Sequence, residues 1–339
     1  MTHSGRVWLP AAAAFAALSL LAGAAVGPVH IGALDVVRGT FAHAFGLHSP
    51  LPRFDDAILW QLRLPRVVLG ALVGGTLAVS GAAYQGVFRN PLADPYLLGV
   101  AAGAGLGATI VVAYAPGTAL TGDLRPVAAF AGGAVAVVAA YALGRAAGIG
   151  AGPGTLVLAG VTIATFFTAV QTFVQQQHVD TVQEIYSWLL GRLATAGWRD
   201  VAIALPYVAI SWLVIVGHRR LLDVLAVGDE EAAALGVNVA RVRLVVVVAA
   251  TVGTAAAVAV SGLIGFVGII VPHMLRLVVG GSYRLLLPLS VLVGAGFLVL
   301  ADVAARTLLS PAELPIGVVT AFLGAPFFAL VLHTSRRHA

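Results

Sequence analysis

Three consecutive carboxylates, those of Asp229, Glu230 and Glu231, stand in the stretch VGDEEAAALGVNVARVR of a chain in which 10% of the residues are charged. Carboxylates suit the first turn of a helix, where they meet free amide groups and the positive end of the helix dipole. The alanines that follow extend this helix, Gly236 ends it, and Asn238 can cap a second one. The stretch therefore predicts a helix, a turn and a helix, which form either a surface hairpin without a partner or a contact element.

Arginines supply the second group of residues with binding chemistry. Arg63 and Arg66 in LRLPR flank a proline that can start a helix, which predicts both guanidinium groups at the edge of an apolar segment. They either anchor the helix to lipid phosphates or bind carboxylates of a soluble partner, because the arginine fork takes a carboxylate bidentately. Asp302 and Arg306, four residues apart, can pair on one helix face, either as a functional site or as a structural ion pair.

The composition leaves little room for reactive chemistry. All 19 basic residues are arginines, and the absence of lysine excludes an intact Walker A loop, whose lysine reaches the nucleotide phosphates. Without cysteine there are no disulfides, thiolate metal sites or cysteine nucleophiles. The nine histidines are scattered, and none forms a pair at ligand spacing, so no metal site is predicted. We expect no catalytic residues and no cofactor bound to this chain.

The elements that must position these residues are membrane spans. The 339-residue chain is 60% hydrophobic, whereas a soluble domain is roughly 45–50% apolar. Helical apolar runs of about 20 residues cover a hydrocarbon layer of about 30 Å. The sequence therefore predicts an all-α polytopic membrane protein, with one transmembrane domain over residues 1–339 and no nucleic-acid surface. The ten predicted spans are Val7–Gly27, Val67–Phe88, Tyr96–Ala115, Pro126–Gly144, Thr155–Val174, Asp200–Gly217, Leu244–Gly262, Leu263–Gly280, Leu285–Ala305 and Pro315–Leu332.

Ten spans place both termini on one side of the membrane. A small excess of arginine on that side assigns it to the cytoplasm, and the first span is too long for a signal-peptide core, so we expect it to stay. Two long loops, 30–66 and 175–199, then face outward. The seventh and eighth spans meet without a polar linker, so their reversal is expected to use Gly262, Gly265 and Gly268.

The stretch FRNPLADP separates the second and third spans. Its two prolines, asparagine and aspartate predict a non-helical link. Irregular backbone at membrane depth is tolerated only where protein or a water-filled cavity covers it. The link is therefore either a tight polar turn or the lining of a gate.

Taken together, these stretches resemble the FecCD-type permease family of type II ABC importers, which carry iron siderophores, haem and vitamin B12. The resemblance covers about residues 62–332 and rests on LRLPR, SGAAYQGVFRNPLADPYLLGV, SWLLGRL, EEAAALGV, SGLIGFVGIIVPHMLRL, LLLP and LADVAARTLLSPAELPIGVVTAFLGAPFF.

This resemblance implies the type II ABC importer permease fold with ten transmembrane helices in the inner (plasma) membrane. It also implies a homodimer with the pathway on its two-fold axis, two cytoplasmic ATPase subunits that bind ATP and Mg, and a substrate-binding protein. The absence of lysine fits this arrangement, because nucleotide chemistry then belongs to another chain.

The resemblance also assigns roles to individual residues. The segment of about residues 222–241 corresponds to the coupling helices, which dock into a groove of the ATPase. Arg63, Arg66 and Arg306 match positions that receive carboxylates from the two lobes of the binding protein. The implied ATPase contacts are Asp229, Glu230, Glu231, Ala232, Ala233, Leu235 and Gly236.

Two gates and a pathway wall are implied as well. Asn90 and Leu92 match a cytoplasmic gate. A second gate precedes the fifth span, where this chain reads GAGPGT up to Thr155 and lacks the small hydroxyl residues common in the family. The fifth span looks like the pathway wall, along which hydroxyl groups let a bulky ligand slide, although threonines bonded to their own helix are the commoner case. Its polar stripe consists of Thr162, Thr165, Thr168 and Gln171.

The function implied is ATP-driven import of a bulky iron complex, haem or a ferric siderophore, with vitamin B12 as the alternative. An ion-gradient secondary transporter would carry unpaired carboxylates or histidines near mid-span, whereas the charges of this chain stand near the span ends. A membrane-embedded enzyme is disfavoured because the sequence has no catalytic constellation. We therefore expect no enzymatic activity from this chain.

Overall fold

The structure is a computed structural model that describes residues 3–115, 119–146 and 153–335. Within these ranges all regular structure is helical, as the composition predicts. The α-helices of the described ranges are α1 (His3–Ala25), α2 (Ala33–Ala44), α3 (Arg53–Ala57), α4 (Leu64–Phe88), α5 (Val100–Tyr114), α6 (Ala119–Ala146), α7 (Pro153–Gln177), α8 (Val182–Leu189), α9 (Trp198–Gly217), α10 (Arg219–Val227), α11 (Asp229–Ala234), α12 (Val239–Ser261), α13 (Val267–Val279), α14 (Tyr283–Thr307) and α15 (Ile316–Ser335).

Ten of these helices are the predicted spans. Seven described segments are long and apolar enough to cross a membrane, and one of them, Arg53–Phe88, runs from α3 through a π-helical turn into α4. The other three are shorter apolar helices, namely α5, α13 and the apolar part of α15. Each predicted span overlaps one of these helices, so the ten-span architecture is confirmed.

Two spans begin four residues later than predicted. The third begins at Val100 and not at Tyr96, because the residues behind the two prolines of FRNPLADP form turns. The eighth begins at Val267 and not at Leu263. Gly262 adopts the left-handed region with φ +71°, as its type allows, but the reversal is completed by Phe266 with φ +69°, which glycine spacing does not predict.

The two long connections that the sequence predicts as loops are partly helical. The first loop contains α2 and α3, and the second contains a 3₁₀ turn, Val179–Thr181, followed by α8. The reason is amphipathicity: α8 carries a polar face, but it buries Ile185 and Trp188 against the helix bundle.

Helix α4 is the centre of the bundle and is buried at nearly every position. It packs against α9, α12, α13 and α14. Two close approaches of backbone decide this packing: Gly74 faces Gly294 of α14, and Gly81 faces Gly268 of α13, in each case so closely that a Cβ atom would collide with the carbonyl oxygen opposite. Small residues permit such contacts. Close packing of this kind holds helices together in lipid, where the hydrophobic effect does not drive helix association.

Gly81→Ala tests this packing. The added methyl group meets the Gly268 carbonyl oxygen, which belongs to the backbone and cannot rotate away, so we expect the free energy of unfolding to fall by about 1–3 kcal/mol or more. Thermal unfolding of the purified chain in detergent measures the change. Gly154→Ala in α7 is the matched control because nothing lies within 4 Å of its Cβ position. Equal effects of the two substitutions would show that the close approach of Gly81 to Gly268 does not limit the packing.

Candidate functional site

The segment of about 222–241 folds as predicted in its first part. Asp229 opens the six-residue helix α11, and Gly236 follows its end with φ +79°. Asn238 does act as a cap, since its Oδ1 accepts a hydrogen bond from the Arg241 amide at 3.0 Å. The helix that Asn238 caps is α12 itself, however, so the second arm of the hairpin is the start of a span and not a separate short helix.

One face of helix α11 packs against the bundle, and its other faces are exposed to solvent. Ala232 is completely buried, as are Leu222 and Leu225 of α10, which anchor the segment to the bundle. Val227 and Leu235 are 71% and 72% exposed. The exposed residues of the predicted contact set are Glu230, Glu231, Ala233, Leu235 and Gly236. Exposed apolar side chains beside two carboxylates form a surface suited to a protein partner.

Asp229 differs from its two neighbours because its carboxylate is engaged within the chain. It accepts hydrogen bonds from Arg243 Nη2 at 3.1 and 3.2 Å, and Arg89 Nη2 lies 3.1 Å from its Oδ1. Arg89 follows α4 and has φ +49°, in the left-handed region. Asp229 thus joins α11 to the link between α4 and α5, a contact that sequence reasoning missed because the partners are distant in the chain.

That link, residues 89–99, contains both residues of the predicted gate. Asn90 and Leu92 are both exposed, and Asn90 Oδ1 accepts a hydrogen bond from the Leu92 amide at 2.9 Å. The Ala93 carbonyl accepts a hydrogen bond from Gln85 Nε2 at 3.2 Å. The segment is therefore a tight turn fastened to α4, with the Leu92 side chain free at its tip.

Gln85 belongs to a buried polar cluster that the sequence did not reveal. Its Nε2 also donates to the Gly268 carbonyl at 3.2 Å, and its Oε1 accepts from Arg276. The Arg276 guanidinium group lies 5.8 Å from the centre of the Tyr283 ring. The cluster connects α4, α13 and α14 next to Arg89. No spacing rule finds it, because each residue stands alone in its own segment.

The structure places the three predicted docking residues, Arg63, Arg66 and Arg306, in two different situations. Arg63 and Arg306 are buried, each 5% exposed, which contradicts the predicted interfacial position of the Arg63 guanidinium group. Arg63 Nη1 donates to the carbonyls of Ala24 and Ala25 at 3.0 and 2.9 Å, and Arg306 donates to that of Gly23. These carbonyls lack helical partners at the end of α1, so two of the predicted docking residues also cap a helix.

Arg66, in contrast, borders the surface and is paired on both sides. Its guanidinium group binds Asp302 through Nε and Nη2 at 2.8–3.1 Å, and Glu313 through Nη1 and Nη2 at 3.0 Å. Asp302 also lies 3.6 Å from Arg306 Nε, which confirms the predicted pairing on α14. The Glu313 side chain is 40% exposed, whereas that of Asp302 is 4% exposed. The pair with Glu313 is therefore the one that solvent can reach.

The predicted pathway stripe on α7 divides between two faces. Thr162, Thr165 and Thr168 are exposed, and the first two donate to carbonyls of their own helix at 2.9 Å, the commoner case for threonine. Gln171 is buried and faces Gly105 of α5, so it does not continue the stripe. Thr155 is partly buried in the first turn of α7, which begins at Pro153, and residues 150–152 of the preceding GAGPG lie outside the described residues.

Within the described ranges, no group of three or more histidine, aspartate or glutamate side chains is placed to hold a metal ion. The described residues form ion pairs, expose apolar side chains and pack helices closely. Such features suit the binding of a partner and the movement of helices.

Asp94, in the link between α4 and α5, should make the free energy of unfolding depend on pH. Removal of water by the surrounding protein raises its pKa to about 6 from 3.8, although its Oδ1 accepts the Tyr96 amide at 2.7 Å. The folded chain then binds more protons than the unfolded chain between these values. The free energy of unfolding should fall by up to about 3 kcal/mol as pH rises from about 4 to 6 and stay lowered above. Asp94→Asn should remove this part of the pH dependence in detergent melts, and identical pH profiles would contradict it.

Comparison with known proteins agrees with this architecture. The FecCD transport family matches residues 15–334. An ABC transporter permease protein of Bacillus subtilis is 40% identical, over 95% of this chain and 92% of its own length. The cobalamin import system permease protein of Halobacterium salinarum is 42% identical over 95% and 87%, and the hemin transport system permease protein of Yersinia pestis is 37% identical over 94% of each chain.

A solved structure gives the same result for the fold. A chain of a metal-chelate type ABC transporter in an inward-facing conformation superposes with a TM-score of 0.84, at 28% identity, covering 96% of this chain and 98% of the other. The ten spans and the short helix α11 therefore belong to a known architecture. This chain belongs to the FecCD transport family, the permease subunits of ABC importers whose ATPase is a separate subunit.

Proposed function

We propose that this permease imports a bulky iron complex, haem or a ferric siderophore, received from a substrate-binding protein. Support comes from relatives whose names include hemin, Fe(3+)-hydroxamate and Fe(3+) dicitrate transport. The cobalamin permease relative keeps vitamin B12 as the alternative cargo. The observation that carries the transport mechanism is α11, an exposed acidic helix anchored to the bundle by a buried alanine.

Coupling to ATP is assigned to α11. Two ATPase subunits in the cytoplasm bind ATP and Mg, and each receives the face formed by Glu230, Glu231 and Leu235. This chain has no lysine for a nucleotide-binding loop and in the proposal carries no enzymatic activity and no cofactor of its own. ATP can drive transport only by favouring one membrane conformation over the other, so the movement must pass through such a contact.

The pair between Asp229 and Arg89 extends this coupling to the gate. Arg89 is adjacent to Asn90 and three residues from Leu92, and Asn90 and Leu92 are the gate residues of the proposal. A displacement of α11 that carries Asp229 along therefore pulls directly on the turn whose exposed tip is Leu92. Rigid elements with two arrangements are the physical basis of such transmission.

The assembly that completes the pathway is a homodimer in the inner membrane, with both termini in the cytoplasm. Its axis lies along α7, whose exposed face carries Thr162, Thr165 and Thr168 beside large apolar side chains such as Phe166 and Phe173. Gln171 and Thr155 support this helix from its buried side. A mixed polar and aromatic face suits an amphiphilic ligand, which slides past it without a deep binding well.

Docking of the binding protein is assigned to Arg66, with Arg63 and Arg306 within electrostatic range of each other behind it. Arginine forks bind carboxylates bidentately, and the outer edge of Arg66 is now occupied by Glu313. Glu313 thus stands in for a carboxylate of the binding protein and must yield when that protein docks.

Reconstituted vesicles test the proposed function. With the ATPase, the binding protein and ATP present, we expect uptake of haem or a ferric siderophore, and no uptake when the ATPase is omitted. Glu230→Arg with Glu231→Arg should abolish coupled uptake while membrane insertion is retained, because the reversed charges disrupt the contact with the ATPase. Uptake without the ATPase overturns the function proposed here.

The control for the charge reversal is Asp180→Arg, an exposed acidic residue in the turn before α8. It lies on the outer side in the proposed topology and should leave coupling unchanged. If the Glu230 and Glu231 reversals transport normally, α11 is not the coupling helix.

Glu313→Gln tests the docking site. Loss of the charge frees the outer edge of Arg66, so the affinity of the binding protein for the permease should rise about two- to fivefold, the worth of a surface ion pair. Surface plasmon resonance on the reconstituted permease measures this affinity. Glu184→Gln is the matched control because Glu184 pairs with Arg125 at 3.4 Å and is 45% exposed. Weaker binding by the Glu313 variant would show that Glu313 attracts the partner and does not compete with it.

A further inference from the structure

A cleft of about 710 Å³ opens between α9 and α14 at the end of α9. Its walls are apolar and come from Leu213 and Val216 on one helix and from Val291 and Leu292 on the other. Two arginines, Arg219 and Arg220, close one end of it at the start of α10. The cleft therefore combines a long apolar wall with two positive charges at one end.

Neither arginine is used inside the chain. In the described part of the chain, neither side chain has a hydrogen bond or an ion pair, whereas Arg284 nearby pairs with Asp223 at 3.2 Å. Unpaired arginines at one end of an apolar surface can bind an anion from elsewhere, because guanidinium groups present donors only.

The cleft faces away from the proposed pathway. Helix α7 packs mainly against α5 and α6, whereas α9 and α14 both pack on α4. In a membrane-spanning bundle this outer surface meets lipid. A second apolar cleft, of about 370 Å³ between α9 and α12, is lined by Ile210, Val214 and Val248 among others and by no charged residue. The two arginines therefore distinguish the first cleft from ordinary lipid contact.

We propose that the α9–α14 cleft is a binding site for an anionic phospholipid of the cytoplasmic leaflet, with its phosphate on Arg219 and Arg220 and an acyl chain along the apolar walls. The side of the membrane follows from the topology in the proposed function, but the ligand does not depend on the cargo. Anionic headgroups attract basic residues at the cytoplasmic surface, and basic pockets between helices bind lipid headgroups. The site lies at the start of α10, the helix that leads into α11.

Lipid retention tests the site. The purified full-length permease is incubated in detergent with phosphatidylglycerol or phosphatidylcholine, and bound lipid is counted by native mass spectrometry. We expect retained phosphatidylglycerol to exceed phosphatidylcholine. Arg219→Gln with Arg220→Gln should reduce phosphatidylglycerol retention by about tenfold or more, from the attraction of two arginines to one headgroup. Arg219→Lys with Arg220→Lys should restore most of it, because the charge is kept.

Matched controls separate this site from general charge effects. Arg145→Gln with Arg241→Gln removes two exposed arginines elsewhere on the side assigned to the cytoplasm and should leave retention unchanged. Inorganic phosphate should not compete at the concentration of the lipid, because it lacks the acyl chain. Val291→Trp, which narrows the cleft, should lower retention without changing the charge.

Three outcomes would overturn the proposal. Equal retention by the native chain and the Arg219 and Arg220 glutamine variant would show that the arginines hold no lipid. Competition by phosphate alone would identify a free anion as the ligand. A disulfide-linked dimer of Leu213→Cys, in a chain with no other cysteine, would show that a second copy covers the cleft. None of these outcomes bears on ATP-driven uptake, so failure here and failure of the proposed function are distinguishable.

Discussion

The hydrocarbon core offers no hydrogen-bond partners, so every irregular stretch of this chain at membrane depth must be satisfied by the chain itself. Helices α5 and α13 have 15 and 13 residues, too short at 1.5 Å per residue for a layer of about 30 Å. The non-helical segments before them meet inside the bundle, where the Tyr96 hydroxyl donates to the Ile264 carbonyl at 3.0 Å and accepts from its amide at 3.2 Å. Gln85 satisfies the Ala93 and Gly268 carbonyls in the same way.

The same requirement shapes both ends of the bundle. At one end, Arg63 and Arg306 satisfy the carbonyls that α1 leaves open, and Arg66 binds two carboxylates. At the other end, Asp229 is satisfied by arginines from α12 and from the link after α4. Charges that serve stability thus stand beside those proposed to bind partners. A solvent-exposed member such as Glu313 can exchange one partner for another.

Span positions were predictable because apolar runs and glycine endings are local signals. The helix that starts at Asp229 was predictable because its acidic first turn and Gly236 after its end lie in one short stretch. Pairings across the bundle were not predictable. The contact of Asp229 with Arg89 and that of Arg66 with Glu313 join residues more than a hundred positions apart, and nothing in either neighbourhood marks its partner. Gln171 was assigned to the wrong face because a spacing of three residues drifts around a helix of 3.6 residues per turn. The amphipathic helix α8 was not predicted because its polar residues obscured the apolar residues that it buries.

The capping of α1 by Arg63 and Arg306 has a consequence for biogenesis. The ribosome makes α1 before α14. Arg306, which donates a hydrogen bond to a carbonyl at the end of α1, is made some 280 residues later, on α14. Until then the end of α1 lacks the Arg306 donor, and Arg306 has only Asp302 of its own helix as a partner. Insertion of the early helices is therefore provisional, and the arrival of α14 fixes the first helix in place.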